Sequence, residues 1–399
     1  MTGLAVEHAT LELVDYSPFS PEVHADPYPV YRQLRDRAPL YRHETLGFWA
    51  VSRYEDVVAV SRDWKTFSSA SGVDIDSTGS EFGSGNFLEE DPPLHDLLRN
   101  VVRAEFVPKD LRAALQPFVR AEVERIVHDL KTRPAVDFAR ELAWELPVVV
   151  VSKLMGFPAE DRERLRQWEE VFALRIPSLE CLPPFATKAG EALRAYFASL
   201  IEERRANPKD DLLTRIVTAE VEGTQIGSRA LGMVFILFVA AIETTASLIT
   251  QSLRLLALHP DQREWLRDAP AAIPQAVEEV LRYEAPVQNV KRTTLCDVEL
   301  LGEAIPKGST VLLLTGSANR DERRFEEPDV FDIQREPKRH MSFGEGIHHC
   351  IGAPLARLEG ELVIQTVLSE MPEYRLLGAP TRLPNHIVRG YLSLPARTA

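Results

Sequence analysis

The sequence predicts a mainly α-helical fold with small β-sheets. Apolar residues recur at helical spacing over residues 92–285. The longest helical candidate in that region, residues 228–258, would extend roughly 45 Å if it were continuous. Its first half is almost entirely apolar, which is typical of a helix buried at the centre of a protein. The pattern changes to strand character over residues 287–314, and this stretch predicts the small sheets.

Composition and charge exclude several classes of protein. The 399 residues can bury a large core, and no long polar linker divides them, so we expect a single domain over residues 1–399. With 46 Lys+Arg against 60 Asp+Glu, the formal net charge is −14, which argues against nucleic acid as a partner. The N-terminal residues show no secretory signal, and the longest apolar run, Leu231 to Ile242, is shorter than the about 20 residues needed to span a bilayer. We therefore expect a cytoplasmic protein that is not embedded in a membrane.

The three cysteines, Cys181, Cys296 and Cys350, do not suggest a disulfide framework and fit a reducing compartment. Cys181 and Cys296 are expected to be packed and chemically inert, because a free cysteine behaves as a small apolar residue. Cys350 lies in a very different setting, which is described below.

The predicted elements follow one another along the chain. Before residue 92 the sequence predicts a helix after Pro27, strands at 40–41 and 48–51, a helix at 54–61 and a loop at 67–91. A loop this long inside a compact protein is usually functional or disordered. The long helices that follow are expected at residues 93–104, 109–130, 138–155, 161–174, 187–205 and 228–258, with Asp91-Pro92 capping the first of them. The prediction is completed by shorter helices up to residue 283, strands at 287–314, an irregular charged stretch at 320–338, a helix at 353–369 and a strand-rich tail.

The segment HMSFGEGIHHCIGAPLAR at residues 340–357 places a thiol in a loop bordered by glycines. Cys350 comes just before a predicted helix, whose positive N-terminal end should favour the thiolate. The glycines allow tight turns and the close approach of a flat ligand. The pattern F-G-x-G-x-H-x-C-x-G, from Phe343 to Gly352, resembles the haem-binding loop of cytochromes P450. The resemblance implies the cytochrome P450 fold, haem b as cofactor, and Cys350 as the axial thiolate ligand of its iron, with Phe343 and Gly352 beside the ring.

An acid–alcohol pair lies inside the long apolar helix. Glu243 and Thr244 follow the run LGMVFILFVAAI, where a carboxylate is costly unless it is hydrogen-bonded or functional. A Glu on a solvated face, with a Thr bonded back to its helix, is the alternative reading. The segment resembles the oxygen-activation motif of cytochromes P450. By that resemblance Thr244 would hydrogen-bond dioxygen, and Glu243 would connect it to a proton supply.

Two further groups of residues match the same family in order along the chain. Glu279 and Arg282 form an E-x-x-R pair on one helix face, and Arg335 is the expected third partner in the structural core. His95 and Arg99, four residues apart, would otherwise be read as a polar surface stripe. The propionate contacts that the resemblance implies are His95, Arg99, Arg292 and His348.

These residues also admit other interpretations. A zinc site at His348, His349 and Cys350 is disfavoured, because adjacent ligands cannot readily reach one tetrahedral metal. A c-type haem would need C-x-x-C-H, which does not occur in the sequence. A haem-binding sensor or ligand carrier without oxygenase turnover remains the rival function, although such a protein has no need of Glu243-Thr244. The same pair disfavours a peroxide-driven enzyme.

The resemblance also implies a substrate and redox partners. It predicts a monooxygenase that hydroxylates or oxidatively dealkylates a small organic molecule, with electrons from a ferredoxin and an NAD(P)H-dependent reductase, and we expect a monomer. Residues 66–98 carry several acids and no Lys or Arg before Arg99, so we expect a neutral, mostly apolar substrate. The pocket candidates are Phe82, Phe87, Leu88, Phe172, Phe185, Ala240, Val287 and Val290. A ferredoxin-docking patch is expected from Arg103, Arg112, Lys338, Arg339 and Arg357.

Overall fold

The computed structural model describes residues 14–76, 85–176, 179–221, 224–225, 229–336 and 338–398. The helices are α1 Pro21–Ala25, α2 Tyr28–Arg37, α3 Tyr54–Arg62, α4 Leu94–Arg103, α5 Pro108–Leu130, α6 Glu145–Met155, α7 Arg162–Phe172, α8 Pro184–Ala206, α9 Leu212–Thr218, α10 Ala230–Leu258, α11 Pro260–Asp268, α12 Ile273–Tyr283, α13 Thr315–Ala318 and α14 Ala353–Glu370.

Short strands form several small sheets. The strands are β1 Leu40–His43, β2 Phe48–Val51, β3 Phe67–Ser68, β4 Ala135–Asp137, β5 Glu220–Val221, β6 Thr224–Gln225, β7 Val290–Thr294, β8 Val298–Leu300, β9 Glu303–Ile305, β10 Thr310–Leu313, β11 Arg375–Leu376, β12 Thr381–Arg382, β13 Tyr391–Ser393 and β14 Pro395–Arg397. The largest sheet has the order β1-β2-β10-β7-β3. Only its β2–β10 pair is parallel. A three-stranded sheet, β11-β14-β4, brings the C-terminus against the segment before α6.

Helix α10 runs through the middle of the protein. It packs against α6, α8, α12 and α14, and its buried residues belong to the largest hydrophobic core. By length and composition this helix could cross a membrane, but 72% of its most apolar stretch is buried inside the protein. That burial is the behaviour of a core helix. The prediction of a mainly helical protein with a long central helix and small sheets is confirmed.

Two of the departures from the predicted elements have a clear physical cause. Residues 138–155 were expected to form one helix, but Ala139–Ala143 is a π-helical turn, with the Trp144 N–H donating to Ala139 O at 2.9 Å. Here the Asp137 carboxylate accepts from the Ala139 N–H at 3.0 Å, and the Trp144 indole donates to Tyr391 O at 3.1 Å. The first contact is local, but the second joins the turn to a residue 247 positions away, which periodicity along the sequence cannot reveal.

The second departure concerns Asp91, which was expected to cap the helix that follows it. Its carboxylate instead accepts from the Ser68 hydroxyl and from the Ser69 N–H at 3.3 Å, and α4 begins at Leu94. Part of the predicted 67–91 loop is ordered by Asn86, whose side-chain oxygen accepts from the N–H groups of a 3-10 turn at Phe87–Glu89.

Candidate active site

The loop that carries Cys350 is pressed against α3. Gly344 and Gly346 have φ values of +67° and +74°, a conformation that glycine adopts at little cost. A Cβ atom at Gly346 would lie 2.8 Å from Ser61 O, so the position has no room for a side chain. The Cys350 N–H donates to Phe343 O at 2.8 Å and closes the loop just before α14 begins.

The electrostatic setting of Cys350 combines opposing effects. Burial raises the pKa of its thiol, while the N–H groups of Gly352 and Ala353 and the cations Arg99 and Arg357 act to lower it. Burial outweighs the others, although the Cys350 residue is itself exposed at the wall of the adjoining cavity. The helix N-terminus therefore acts in the predicted direction, toward the thiolate, but the effect of burial on the pKa of the thiol is larger. A bound metal ion deprotonates a thiol ligand outright, so metal binding would reverse this balance.

A cavity of about 270 Å³ opens beside the Cys350 sulfur. Its walls are mostly apolar and come from α10, α14, β7 and the cysteine loop. Thr244 of α10 lines the same cavity as Cys350. Phe343 and Gly352 line it as well, in agreement with their predicted place beside a flat ligand.

Two cations line this cavity without carboxylate partners among the described residues. Arg99 donates from Nη2 to His349 O at 2.6 Å, and Arg292 donates from Nη1 to Lys291 O at 2.8 Å. Burial lowers the pKa of Arg292 to about 10, against the opposing charge of Asp91. Arg292 is buried and Arg99 is half-buried, and guanidinium groups that lack a counter-ion in such a setting fit a ligand that brings its own carboxylates.

Two histidines lie together behind these cations. His348 lines the cavity, and its Nε2 is 3.0 Å from Ser69 Oγ. Burial and, second, the charge of Arg292 lower the pKa of His348 to about 2, so the ring is neutral. His95 stacks edge-on at 4.8 Å between ring centres, with its Nδ1 2.8 Å from Asp96 Oδ1. His95 Nε2 and His348 Nδ1 are buried without a partner in the described part of the chain.

These features fit haem. They comprise a thiol at one wall, unpaired cations at the edge, buried imidazole nitrogens still available for hydrogen bonds, and apolar walls. Such an arrangement suits a flat apolar ring that carries two carboxylates.

The acid–alcohol pair faces the interior from α10. The Thr244 hydroxyl donates to Ala240 O at 2.7 Å, and it lies at the surface of the cavity. Glu243 is buried, and burial raises the pKa of its carboxyl to about 7. Arg175 and a hydrogen bond from Glu169 act in the lowering direction. The carboxyl is thus poised to give or take a proton near neutral pH.

A second cavity of about 380 Å³ adjoins the first. The two cavities share the wall residues Val73, Leu88, Ile236, Ala240, Thr244, Val287 and Val290. Glu243 lines the second cavity, and Cys350 lines the first. A substrate in the second cavity would therefore reach the Cys350 cavity past Thr244.

Most of the predicted pocket residues lie in these walls. Leu88, Ala240, Val287 and Val290 line both cavities, Phe87 lines the first and Phe172 the second. Phe185 lines neither, because it lies in the first turn of α8 and is 40% exposed. Phe82 lies outside the described residues.

Arg175, which follows α7, is a residue of the second cavity that the sequence did not predict. Its Nε donates to Asp76 Oδ2 at 2.6 Å inside the wall of the second cavity. The two residues are 99 positions apart, and no local pattern connects them. Cys181 also lines this cavity; it and Cys296 are exposed, so the expectation that both are packed thiols was wrong.

The E-x-x-R pair lies in the core beside the cysteine loop. Arg282 donates to both carboxylate oxygens of Glu279 at 2.7 Å, and to Asn319 O at 3.0 Å and Pro328 O at 2.9 Å. Arg335 Nε lies 3.3 Å from Glu279 Oε1, as predicted for the third member. The triad joins α12 to the irregular segment that leads into the cysteine loop.

Comparisons with known proteins agree with this geometry. The family model described as Cytochrome P450 matches residues 272–373. The chain is 38% identical over 386 residues to the putative cytochrome P450 123 of Mycobacterium tuberculosis, covering 95% of each chain. It is 36% identical to the cytochrome P450 monooxygenase PikC of Streptomyces venezuelae, over 98% of this chain and 95% of that protein. A crystal structure of CYP109E1 from Bacillus megaterium in complex with testosterone has 30% identity and a TM-score of 0.87, covering 96% of this chain and 100% of that chain.

The fold and the cysteine-lined cavity define a haem-thiolate type of enzyme. The chain belongs to the cytochrome P450 family and is a monooxygenase, an oxidoreductase. Members of this family carry haem on a cysteine thiolate.

Proposed function

We propose that this protein is a haem-thiolate monooxygenase that hydroxylates or oxidatively dealkylates a small, mostly apolar and uncharged organic substrate. The observation that carries the proposal is that Cys350 and Thr244 line one cavity, and that this cavity adjoins a second one large enough for a substrate. Bound there, haem would activate dioxygen with two electrons, so that one oxygen atom enters a C–H bond and the other leaves as water.

Cys350 is the residue that would hold the haem iron, and the cations at the cavity edge would hold its propionates. Arg99 and Arg292 supply the charges, and His348 offers a hydrogen-bonding nitrogen at the cavity wall. His95 is not among the residues that line the cavity; it packs against His348 and carries a second unpartnered nitrogen. Phe343 and Gly352 would lie against the ring on the cysteine side. The absence of a carboxylate partner for either arginine among the described residues supports these roles.

Thr244 and Glu243 would handle protons. The Thr244 hydroxyl hydrogen is engaged with Ala240 O, which leaves the hydroxyl oxygen free to accept from a group in the cavity. Glu243 reaches the second cavity with a carboxyl poised near neutral pH. Together they can relay a proton from that cavity to the Cys350 cavity without a charged group entering the apolar space.

An uncharged, apolar substrate is favoured by the wall of the second cavity. Phe172, Phe235, Val239 and Ile387 are among the apolar residues that line it. The charge of its described cation, Arg175, is already neutralised by Asp76. The CYP109E1 structure, similar in fold, is in complex with testosterone, a molecule of this class.

Electrons would come from a ferredoxin and its NAD(P)H-dependent reductase in the cytoplasm, with the enzyme acting as a monomer. The surface around the cysteine loop is less basic than the sequence indicated. Arg112 pairs with Glu361 at 2.9 Å, Arg357 with Glu278 at 2.6 Å and Arg339 with Glu345 at 2.8 Å. Arg103 and Lys338 form no ion pair with a described residue and would contribute most to docking.

The deciding experiment is the absorption spectrum of the reduced carbon-monoxide complex, followed by substrate-dependent NAD(P)H consumption with surrogate redox partners. We expect the strongly red-shifted band of a thiolate ligand in the wild type. We expect its loss in Cys350→Ser, while Cys296→Ser, an exposed cysteine elsewhere, keeps it. A thiolate-type band without NAD(P)H consumption or oxygenated product for any apolar ligand would instead identify a haem sensor or carrier.

A further inference from the structure

Glu169 is a carboxyl group that the proposed mechanism has not yet used. It lies on α7, and 0% of its surface is exposed. Neither of its side-chain oxygens is paired with an amide, hydroxyl or cationic donor among the described residues, and the carboxyl of Glu243 is the neighbour with which it interacts. A buried carboxyl without a partner costs free energy of folding, so its presence in the core calls for a specific interaction.

Glu243 on α10 is the group that acts on Glu169 most strongly. Burial raises the pKa of Glu169 well above its ordinary value, and the neighbouring Glu243 raises it further, against the weaker effect of Arg175. Helices α7 and α10 are in contact, and Phe172 packs edge-on against Phe235 at 5.5 Å between ring centres. The two carboxyls are both buried at this contact between the helices and interact with each other directly.

Among the described residues, the other charged groups near the two carboxyls are Arg175, His386, Asp76 and Asp74. Arg175 is held by Asp76 at 2.6 Å, and His386 Nε2 lies 3.5 Å from the same oxygen of Asp76. Asp74 lines the same cavity as Glu243, and the charge of Glu243 contributes to a raised pKa at Asp74. The cluster holds more acids than cations, so two neighbouring buried carboxyls cannot both be ionised at neutral pH.

We propose that Glu169 is a positioning residue for proton delivery, which stays protonated and donates its O–H to the Glu243 carboxylate. The inference rests on the proposed monooxygenase function and adds a residue to it. Glu169 keeps its proton throughout. The proton that moves is taken up by Glu243 from the second cavity and passed on toward Thr244, so each turnover leaves both carboxyls as they began.

The physical role of the donated hydrogen bond is to keep Glu243 usable at neutral pH. Burial alone would push the Glu243 carboxyl toward a permanently protonated state, and a donor that stabilises the carboxylate opposes this. An acid whose pKa matches the working pH transfers protons best.

The test compares the holoenzyme and three variants by infrared spectroscopy of protonated carboxyl groups between pH 5 and 9. In the wild type we expect a protonated-carboxyl band that does not titrate, together with a titrating band that Glu243→Gln removes. Burial raises the pKa of Asp74 to about 7 and that of Glu359 to about 8, so these two carboxyls add titrating bands that should persist in all three variants. Glu169→Gln should remove the non-titrating band and keep the Glu243 midpoint, because an amide N–H can replace the O–H donor. Glu169→Leu should raise that midpoint by about one unit, which lowers the ionised fraction of Glu243 at pH 7 about fivefold.

A second readout is the product formed per NAD(P)H consumed. We expect Glu169→Leu to lower this ratio at pH 7 and to shift its pH profile to higher pH, with recovery in Glu169→Gln. Glu170→Gln is the matched control, since Glu170 is the next residue on α7 and pairs with Arg166. An unchanged Glu243 midpoint in Glu169→Leu would overturn the inference while leaving a thiolate-type carbon-monoxide spectrum intact. Failure of the proposed function would show in that spectrum instead.

Discussion

Arg175 Nε lies 2.6 Å from Asp76 Oδ2 in the wall of the second cavity, and both side chains are more than 90% buried. Because the guanidinium charge is matched by a carboxylate, the cavity offers no free cation from this pair to an anionic ligand. The charge preference of the cavity therefore depends on Asp76.

Replacement of Asp76 by Asn should convert the cavity into one that accepts carboxylates. The variant leaves Arg175 buried without its partner, so a fatty-acid anion would gain a counter-ion. We expect about tenfold tighter binding of the acid, equivalent to ~1.4 kcal/mol, in a spectral titration of the haem band. The methyl ester of the same acid serves as the control and should bind equally to both proteins. Equal affinity of the acid for wild type and variant would show that Arg175 does not reach the ligand.

Replacement of Thr244 by Ala should uncouple NAD(P)H consumption from product formation. The variant loses the hydroxyl at the cavity surface, and we expect product per NAD(P)H to fall by about tenfold or more, since a positioned proton-transfer group contributes at least this much. Thr244→Ser should recover most of the coupling. Thr250→Ala is the matched control, because Thr250 also donates to its own helix, to Ala246 O at 2.9 Å, but is buried outside both cavities. Similar uncoupling in the Thr250 variant would indicate a general effect on α10.

Replacement of Arg282 by Lys should destabilise the protein rather than alter its chemistry. An ammonium group cannot make both contacts to Glu279 and also reach the carbonyl oxygens that Arg282 now serves. Breaking a buried pair of this kind costs about 3–5 kcal/mol, measurable as a lower urea midpoint of the haem-loaded protein. The exposed pair of Arg42 and Glu44, 3.3 Å apart, provides the comparison, and Glu44→Gln should leave the midpoint unchanged. A normal midpoint in Arg282→Lys would contradict the structural role.

His386 should make the stability of the protein fall in mild acid. Burial lowers the pKa of His386 to about 4, with Asp76 opposing this shift. The unfolded state therefore gains the proton first, and stability is lost as pH falls from about 6.5 to about 4, by roughly 3 kcal/mol from this residue. Urea unfolding at pH 7, 5 and 4 should show a shallower loss in His386→Gln than in the wild type. Parallel curves for the two proteins would place the acid sensitivity elsewhere.

Charge reversal at Arg103 and Lys338 together should raise the apparent KM for a ferredoxin. These cations have no carboxylate partner among the described residues, so their charge is available to an acidic partner. The effect should shrink as salt is added, because exposed charges are screened. Lys188→Glu, on the exposed face of α8, reverses one charge, as each single substitution of the pair does, and should leave the KM unaltered. Unchanged reduction kinetics at low salt in the double variant would exclude docking at this surface.

The sequence predicted those parts of the site whose residues are close together along the chain. Cys350 with its glycines, Glu243 with Thr244, and Glu279 with Arg282 each lie within a few residues of one another, and the backbone places each group together. Arg335 was found because a family pattern supplied its partner.

The parts that the sequence did not predict depend on contacts between distant segments. Asp76 and Arg175 are far apart in the sequence and come together only when the segment after β3 packs against the end of α7. Glu169 on α7 interacts with Glu243 on the neighbouring helix α10. The π-turn at Ala139–Ala143 depends on contacts with the C-terminal strands. The prediction that Phe185 lines the pocket was wrong for a related reason, because the helical pattern does not show which side of the first turn of α8 faces solvent.

The contact between Gly346 and α3 helps to determine the position of the Cys350 sulfur. The loop that carries Cys350 packs at Gly346 directly against the backbone of Ser61, nearly three hundred residues earlier in the chain. Residues 340–357 transplanted alone into another helical protein would lack that template and would relax away from the arrangement seen here. The position of the sulfur therefore depends on α3 in the N-terminal part of the chain. This helix takes no part in the chemistry, yet it determines where the reactive sulfur atom lies.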